Sequence, residues 1–261
     1  MPPGCGEIAS LGVSMPDPPT IGIVVAMEQE VAILRERYFD ARPSRNGLCP
    51  IYQARINGTP VVLAHSGIGK VNAAIAASEL VLAYRPSALL VSGLAGSLSE
   101  DLSAGDMVVA TGAIQHDFDL TPLVSSRGRL PGSRSAETPA SPRLVDLATE
   151  AAAKVAAQID LARGGGVAPR LLRGAVASGD ALISSASRKH EILSHFPGAL
   201  CVDMETAAVA QVASAAGCEW ASVRVVSDNA DESFDASEVL AFVGEEGAES
   251  ISALLVSLCG L

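Results

Sequence analysis

The sequence predicts an α/β protein with helices on both faces of a central, twisted, mixed and mostly parallel sheet. Continuous apolar runs of the kind that form buried strands alternate along the chain with longer helical segments. Apolar residues make up 49% of the 261 residues and aromatic residues only 3%; the resulting excess of Ala, Val and Leu suits strands covered by helices. Because no internal repeat is evident, we expect one three-layer α/β/α domain over residues 21–261.

Short apolar runs predict the strands of this sheet. The first, Ile21 to Ala26, is apolar without interruption and is therefore expected to be buried. Two of the runs flank Asn57-Gly58, a dipeptide typical of a tight hairpin turn. The predicted strands are 21–26, 51–54, 61–64, 88–92, 105–109, 113–116, 172–178, 199–202 and 221–226.

Longer segments between these runs predict the helices. The first opens with Glu28, Gln29 and Glu30, and acidic side chains in a first turn complement the helix dipole. The second is rich in alanine, and the last is amphipathic. The predicted helices are 27–37, 71–84, 144–157, 207–216 and 236–258.

Three segments are predicted to lack regular structure. Residues 1–20 contain five prolines and are expected to form a flexible leader, without the basic region and long apolar stretch of a signal peptide. Residues 121–142 contain four prolines and are expected to form a long loop, which in a compact domain is usually functional or mobile. Residues 163–166 are expected to form a flexible link.

Composition argues against several classes of partner. A formal charge of −11 disfavours nucleic acid and anionic membrane surfaces. Five dispersed cysteines without a Cys-x-x-Cys pair suggest reduced thiols and a cytoplasmic location, and the four histidines lack the spacing of metal ligands. Apolar stretches stay short of the roughly 18 residues of a membrane span. We therefore expect a soluble protein without a metal or other cofactor.

The glycine-rich segment Ser66–Lys70 resembles two nucleotide-binding fingerprints only in part. A dinucleotide fingerprint requires glycine where Asn72 stands. A P-loop requires glycine at Ala64 and Ser or Thr at Val71. Both fail, which leaves a close backbone approach at a helix N-terminus, useful for a ligand or for packing.

Charged residues at predicted strand ends form the candidate site. Arg224 lies inside an apolar strand that ends at Asp228, and a buried arginine is costly unless it is paired. In an α/β sheet, ligands bind beyond the carboxyl ends of strands, where Glu30, Glu205 and Asp228 are expected. Each has an alternative structural explanation: Glu205 could cap a helix, and Asp228 could close an Asx-turn. Together, such carboxylates suit the cleavage of a neutral, hydroxyl-bearing substrate by acid–base catalysis.

Six ordered motifs resemble those of the 5′-methylthioadenosine/S-adenosylhomocysteine nucleosidases, within the nucleoside phosphorylase superfamily. The resemblance covers residues 20–261, and the set is far more specific than any one motif. The motifs are Ala26-Met27-Glu28-Gln29-Glu30, Ser66-Gly67-Ile68-Gly69-Lys70, His116-Asp117, Gly179-Asp180-Ala181, Val202-Asp203-Met204-Glu205 and Arg224-Val225-Val226-Ser227-Asp228.

The resemblance implies a nucleoside phosphorylase-like fold and a hydrolase that cleaves the N-glycosidic bond of 5′-modified adenosines. Asp228 would protonate the purine at N7, aided by Ser227. Glu30 would be the base for the attacking water, which Arg224 would help to hold. Glu205 would bind the ribose hydroxyls.

The resemblance also implies a set of substrate contacts and a homodimer. Met204 would lie against the sugar, the Ile183 backbone would read the adenine edge, and Ile68 and Phe234 would line the 5′-substituent pocket. The other implied contacts are Ala26, Leu94, Ala95, Gly96 and Leu182. The partner subunit would contribute Leu120, Leu123 and Pro131.

Three residues depart from the family pattern and keep other functions open. Leu182 stands where Phe usually stacks on the purine, Leu94 where Ser or Thr is common, and Asp203 where Glu is usual. The alternatives are a nucleosidase for another 5′-modified adenosine, such as aminodeoxyfutalosine or a hopanoid precursor, a phosphorylase of the same fold, and a non-catalytic nucleoside sensor. Intact Glu30, Glu205 and Asp228 argue against the sensor.

Overall fold

The computed structural model describes residues 20–39, 43, 47–162 and 168–260. The predicted leader, apart from Thr20, and the predicted link at 163–166 lie outside these residues. The strands are β1 Ile21–Val25, β2 Ile51–Ile56, β3 Thr59–His65, β4 Ala88–Ser97, β5 Met107–Gln115, β6 Glu137–Pro139, β7 Leu171–Ser178, β8 Ala199–Asp203 and β9 Glu219–Asp228. The helices are α1 Glu28–Tyr38, α2 Lys70–Tyr84, α3 Pro142–Ala162, α4 Ala186–His195, α5 Thr206–Ala216, α6 Ala236–Phe242 and α7 Ala248–Leu258.

Within the described residues, all nine strands form one mixed sheet, and the predicted α/β class is confirmed. The hairpin β2–β3 joins the sheet through the parallel pair β3–β1, and β1 pairs in parallel with β4. Beyond β4 the pairing closes on itself. β4 pairs with both β8 and β9, β9 with β5, β5 with β7, and β7 with β8. This closed ring was not predicted, since local sequence patterns carry no information on which distant strands pair.

The helices that cover the sheet pack in two groups. Helices α2 and α5 pack on each other and on the strands, while α7 packs against α1 and α3. The small side chains of Ala73, Ala76 and Ala77 are fully buried and let α2 approach closely. Within the described parts of the chain, no helix combines the length and apolar composition that a membrane crossing requires.

The strand predicted at 88–92 is longer than expected. Residues 93–97 continue β4, pairing with β9 as far as Gly96 and with β8 at Gly96 and Ser97. The glycines here do not make a turn. They accommodate the side chains that pack over the strand, and a β-bulge between Ala95 and Gly96 redirects it toward β8.

Other boundaries also differ from the prediction. The two short strands predicted at 105–109 and 113–116 are one strand, β5, bulged between Ala110 and Gly112. The single helix predicted at 236–258 is interrupted by a π-helical turn, Val243–Gly247. Helix α4 was not predicted, because Ile192 is its one fully buried residue and it therefore lacks a strong apolar pattern.

Candidate active site

Glu30 lies in the first turn of α1, directly after β1, and is 2% exposed. Its Oε1 accepts a hydrogen bond from the Leu94 N–H at 2.8 Å, and its Oε2 accepts one from the Met27 N–H at 2.9 Å. Burial raises the pKa of the Glu30 carboxyl, although Arg224 and the backbone donors oppose this shift. Glu30 is therefore better suited to hold a proton than an ordinary surface glutamate.

Arg224 is the largest fully buried side chain of β9, at 1% exposure. Its Nη2 lies 2.5 Å from Asp203 Oδ2 and 3.7 Å from Glu205 Oε2. Its Nε and Nη2 also donate to Thr206 Oγ1 at 3.0 and 2.8 Å. Burial opposes the charged form, but Asp203, Glu205 and Glu30 outweigh it and hold the pKa of Arg224 above its ordinary value.

Glu205 lies between β8 and α5 and is 5% exposed. The helix-cap explanation does not describe its contacts, because Oε1 accepts the N–H of Gly69 from the N-terminus of α2 at 2.9 Å. It is Asp203 that accepts the N–H of Thr206 in the first turn of α5, at 3.1 Å. Burial raises the pKa of Glu205 to about 7, with Arg224 opposing and Asp203 reinforcing the shift.

Gly93 provides the space in which Glu30 and Arg224 meet. A Cβ at this position would lie 2.5 Å from Glu30 Oε1 and 2.6 Å from Arg224 Nη1. Both atoms therefore lie close together over the strand, and a side chain at 93 would collide with each. The structure thus brings Glu30, Arg224 and Glu205 into one buried cluster.

Asp228 lies at the end of β9, about half-buried, outside this cluster. Its Oδ1 accepts the N–H of Ala230 at 2.8 Å, which is the Asx-turn of the structural explanation. Its Oδ2 accepts the hydroxyl of Ser227 at 2.6 Å. Its side chain also lines a small cavity of about 40 Å³ together with Gly96, Leu182, Ile183 and Met204, among others.

The motifs at the ends of β5 and β7 and the start of α2 meet through one polar network. Lys70 Nζ lies 2.6 Å from Asp117 Oδ1, and the Lys70 N–H donates to Asp180 Oδ1 at 2.8 Å. The Asp180 N–H in turn donates to Asp117 Oδ2 at 2.9 Å. This network fixes the N-terminus of α2, and with it the Gly69 N–H that binds Glu205.

The family model of the Phosphorylase superfamily matches residues 20–259. The chain belongs to the phosphorylase superfamily.

Solved structures of this superfamily resemble the chain over nearly its whole length. A 5′-methylthioadenosine/S-adenosylhomocysteine nucleosidase from Neisseria meningitidis, in complex with methylthio-immucillin-A, is 30% identical, with a TM-score of 0.81 over 92% of this chain and 98% of that one. The corresponding nucleosidase from Colwellia psychrerythraea 34H, in complex with adenine, is 29% identical, with a TM-score of 0.82 over 93% and 95%. The futalosine hydrolase of Helicobacter pylori strain 26695 is 31% identical, with a TM-score of 0.80 over 92% and 97%.

The other residues implied by the resemblance differ in how deeply they are buried and in what they contact. Ala26 and Ala95 are buried, and Ile68 is 52% exposed beside Gly69. Leu94 contributes its backbone N–H to Glu30, while its Cδ2 lies only 3.4 Å from where a Cβ of Gly247 would stand. Phe234 is half-buried in the turn before α6.

The residues expected to reach a partner subunit lie between β5 and β6. Leu123 is 86% exposed, Pro131 is exposed, and Leu120 is partly buried. The structure therefore keeps them outside the cluster of the same chain.

Sequence reasoning missed the polar groups behind Arg224. Thr206, fully buried, and Ser178, fully buried, both donate through their hydroxyls to Asp203. The sequence feature that could have indicated them is the run Asp203–Thr206 between a predicted strand and a predicted helix. Within that run, the resemblance assigns roles only to Met204 and Glu205.

We predict that Gly93→Ala destabilises the protein by about 1–3 kcal/mol, the typical cost of overpacking a well-packed interior. The added methyl would displace Glu30 or Arg224 from their hydrogen bonds. Denaturant unfolding would measure the change. Gly198→Ala is the matched control, because a Cβ at Gly198 meets open space; equal stability of the two variants would contradict the close approach at Gly93.

Proposed function

We propose that the protein hydrolyses the N-glycosidic bond of 5′-modified adenosines, releasing adenine and the 5′-substituted ribose. The buried pair of Glu30 and Arg224 carries this proposal. A carboxylate held by two backbone N–H groups beside a guanidinium can orient a water molecule and accept its proton. The similar nucleosidases, with bound adenine or methylthio-immucillin-A, supply the substrate class.

In this mechanism each carboxylate has a separate task. Asp228, which accepts a hydrogen bond from the Ser227 hydroxyl, would protonate the purine at N7. This proton would neutralise the negative charge that develops on the leaving base. Glu30 would take the proton of the attacking water, which Arg224 helps to hold. Glu205 would bind the ribose hydroxyls, and Met204 would lie against the sugar. A general acid of this kind typically contributes about 10²–10⁴-fold to the rate.

The remaining contacts are proposed from position. Ile183, 3% exposed, and Leu182, 59% exposed, border the cavity of Asp228, where the purine would lie. Ile68 and Phe234 would meet the 5′-substituent. That cavity is much smaller than the depression of about 540 Å³ between α1, α3 and α7, but it is the one that Asp203 and Asp228 line.

A phosphorylase of the same fold fits less well. Phosphate binding requires cationic or backbone donors, and a carboxylate repels it. The segment after β1 is Ala26-Met27-Glu28-Gln29-Glu30, and Glu30 occupies the backbone donors of Met27 and Leu94. Water is therefore the favoured nucleophile.

A second candidate is a nucleosidase for a different 5′-modified adenosine. The similarity to a futalosine hydrolase, at 31% identity, matches that to a methylthioadenosine nucleosidase, at 30%, to within one percentage point. Leu182 and Leu94 also depart from the residues expected for the latter family. A substrate panel that includes aminodeoxyfutalosine separates the two, and a role in methionine salvage follows only for the first.

We further propose a cytoplasmic homodimer in which Leu120, Leu123 and Pro131 complete the neighbouring site. One observation in support is an exposed apolar face of α2. Val71, Ile75 and Leu82 share one side of this helix and are 69%, 39% and 79% exposed. With Leu48, 82% exposed, they form a patch of the kind that marks association surfaces.

The choice of nucleophile gives the first test of function. Adenine release from 5′-methylthioadenosine should proceed fully in phosphate-free buffer, because Glu30 favours water. Chromatography of the sugar product identifies the nucleophile. A sugar 1-phosphate as the main product would overturn the hydrolase proposal.

Asp228→Asn tests the general acid. The amide keeps the Asx-turn to Ala230 but cannot deliver a proton to N7, so turnover should fall by at least about 10²-fold. Nucleoside affinity and melting temperature should change far less. A variant that folds, binds and turns over at a near-normal rate would remove Asp228 from the mechanism and leave only its turn.

Leu123→Asp tests the contribution of the partner subunit. It should weaken binding of long 5′-alkylthio ligands more than that of adenosine, which lacks a 5′-alkylthio group. Calorimetry on both ligands, with oligomeric state followed by sedimentation, measures this. Leu161→Asp, at the similarly exposed end of α3, is the control. If the Leu123 variant stays dimeric and loses affinity equally for both ligands, the proposal is contradicted.

A further inference from the structure

Asp203 is a buried carboxylate whose oxygens are occupied by the protein itself. Oδ1 accepts the Ser178 hydroxyl, and Oδ2 accepts the N–H and hydroxyl of Thr206 and contacts Arg224 Nη2 at 2.5 Å. The residue is 6% exposed. Asp203 therefore has little capacity to bind a substrate, and its role in the site must act through its partners.

The partners of Asp203 hold one edge of the Arg224 guanidinium. Nε and Nη2 donate to Thr206 Oγ1, and the same hydroxyl donates to Asp203. The opposite nitrogen, Nη1, has a long contact with Leu94 O at 3.5 Å and lies beside Glu30 over Gly93. The guanidinium is thus held along one edge and directed toward Glu30 at its other end.

Glu205 is the residue to which Arg224 would otherwise turn. Glu205 Oε2 is 3.7 Å from Arg224 Nη2, whereas Asp203 Oδ2 is 2.5 Å from the same nitrogen. Four groups act on the Glu205 carboxyl: Arg224 on β9, Asp203 on β8, Glu30 on α1 and the Gly69 N–H at α2. A full ion pair with Arg224 would occupy the oxygen that the proposed mechanism gives to the ribose hydroxyls.

We propose that Asp203, through its direct contact with Arg224 and through Thr206, is a positioning residue that keeps Arg224 directed at Glu30 and off Glu205. The proposal rests on the hydrolytic function only for its catalytic consequence; the arrangement of charges it describes is a property of the free protein.

Titration of Glu205 in the free protein tests the proposal without using turnover. Carboxyl ¹³C NMR of glutamate-labelled protein follows Glu205, whose signal is assigned by its loss in Glu205→Gln. In the wild type we expect a midpoint near its pKa of about 7. In Asp203→Asn, Arg224 should close onto Glu205 and lower the midpoint by at least about 1 on the pH scale, the usual effect of an opposite charge at short range. Asp203→Glu should retain a midpoint near that of the wild type.

Thr206→Val separates positioning from charge. It removes the hydroxyl that bonds both Asp203 and Arg224 without changing any formal charge, so a lowered midpoint would report a rearrangement of the Asp203–Arg224 pair rather than the loss of a charge. Thr206→Ser keeps the hydroxyl and should behave as the wild type. If Asp203→Asn does not fold, the Thr206 pair still decides the proposal.

Asp106→Asn is the matched control for loss of a buried aspartate. Asp106 is 8% exposed and accepts the backbone N–H groups of Ser103 and Arg170 at 2.8 and 2.7 Å. This variant should leave the Glu205 midpoint in place, even where its melting temperature falls. Equal midpoints in Asp106→Asn and Asp203→Asn, or an unmoved midpoint in Thr206→Val, would overturn the positioning role.

Kinetics then connect the charge arrangement to the reaction. With 5′-methylthioadenosine, Asp203→Asn and Thr206→Val should lose turnover, and Thr206→Ser should keep it. Absence of adenine release by the wild type would refute the proposed function but leave the NMR result intact. Full turnover in variants with a lowered midpoint would show that Arg224 need not face Glu30, and would overturn the catalytic part of the inference.

Discussion

The burial of one guanidinium determines how the site is built. Arg224 is 1% exposed, and an unpaired charge at that depth would be strongly destabilising. Asp203, Glu205 and Glu30 surround it, so that buried negative groups outnumber the cation they share. Burial raises the pKa of both Glu205 and Glu30, and the resulting preference for their protonated forms reduces the excess of negative charge. Structural pairing and acid–base capacity therefore have one origin.

The sheet brings these groups together from distant parts of the chain. β4 is long enough to pair with β1, β9 and β8 in turn, and so it joins the elements that carry Glu30, Arg224 and Glu205. The ring formed by β4, β9, β5, β7 and β8 places the ends of β5 and β7 on the same network. A displacement of α2 would move the Gly69 donor of Glu205, which is why Lys70 and its aspartates matter to a site they do not enter.

Local patterns predicted most elements and several candidate residues. The apolar run of β1, the Asn57-Gly58 hairpin and the alanine-rich α2 follow from chain chemistry alone, and Arg224 stood out as a charge within an apolar strand. Ring closure and the continuation of β4 through Gly93 could not be predicted, because they depend on partners far along the sequence. For the same reason the sequence does not reveal Asp203 and Thr206 as partners of Arg224. Nothing in their spacing indicates that the Thr206 hydroxyl bonds both Asp203 and Arg224. The Asx-turn at Asp228 is one of the two explanations that the sequence offers for this residue, and the structure contains it.

The π-helical turn Val243–Gly247 has a consequence for how this superfamily member can vary. Its last residue has no side chain, and a Cβ there would stand 3.0 Å from the Phe242 carbonyl and 3.4 Å from Leu94 Cδ2. Leu94 thus fills, from β4, a space that a longer side chain at 247 would claim, while its backbone binds Glu30. Among homologues we expect positions 94 and 247 to covary in volume, a small residue at one permitting a larger residue at the other. Sequence drift in the C-terminal helices is therefore coupled to the identity of a residue whose N–H binds a buried carboxylate.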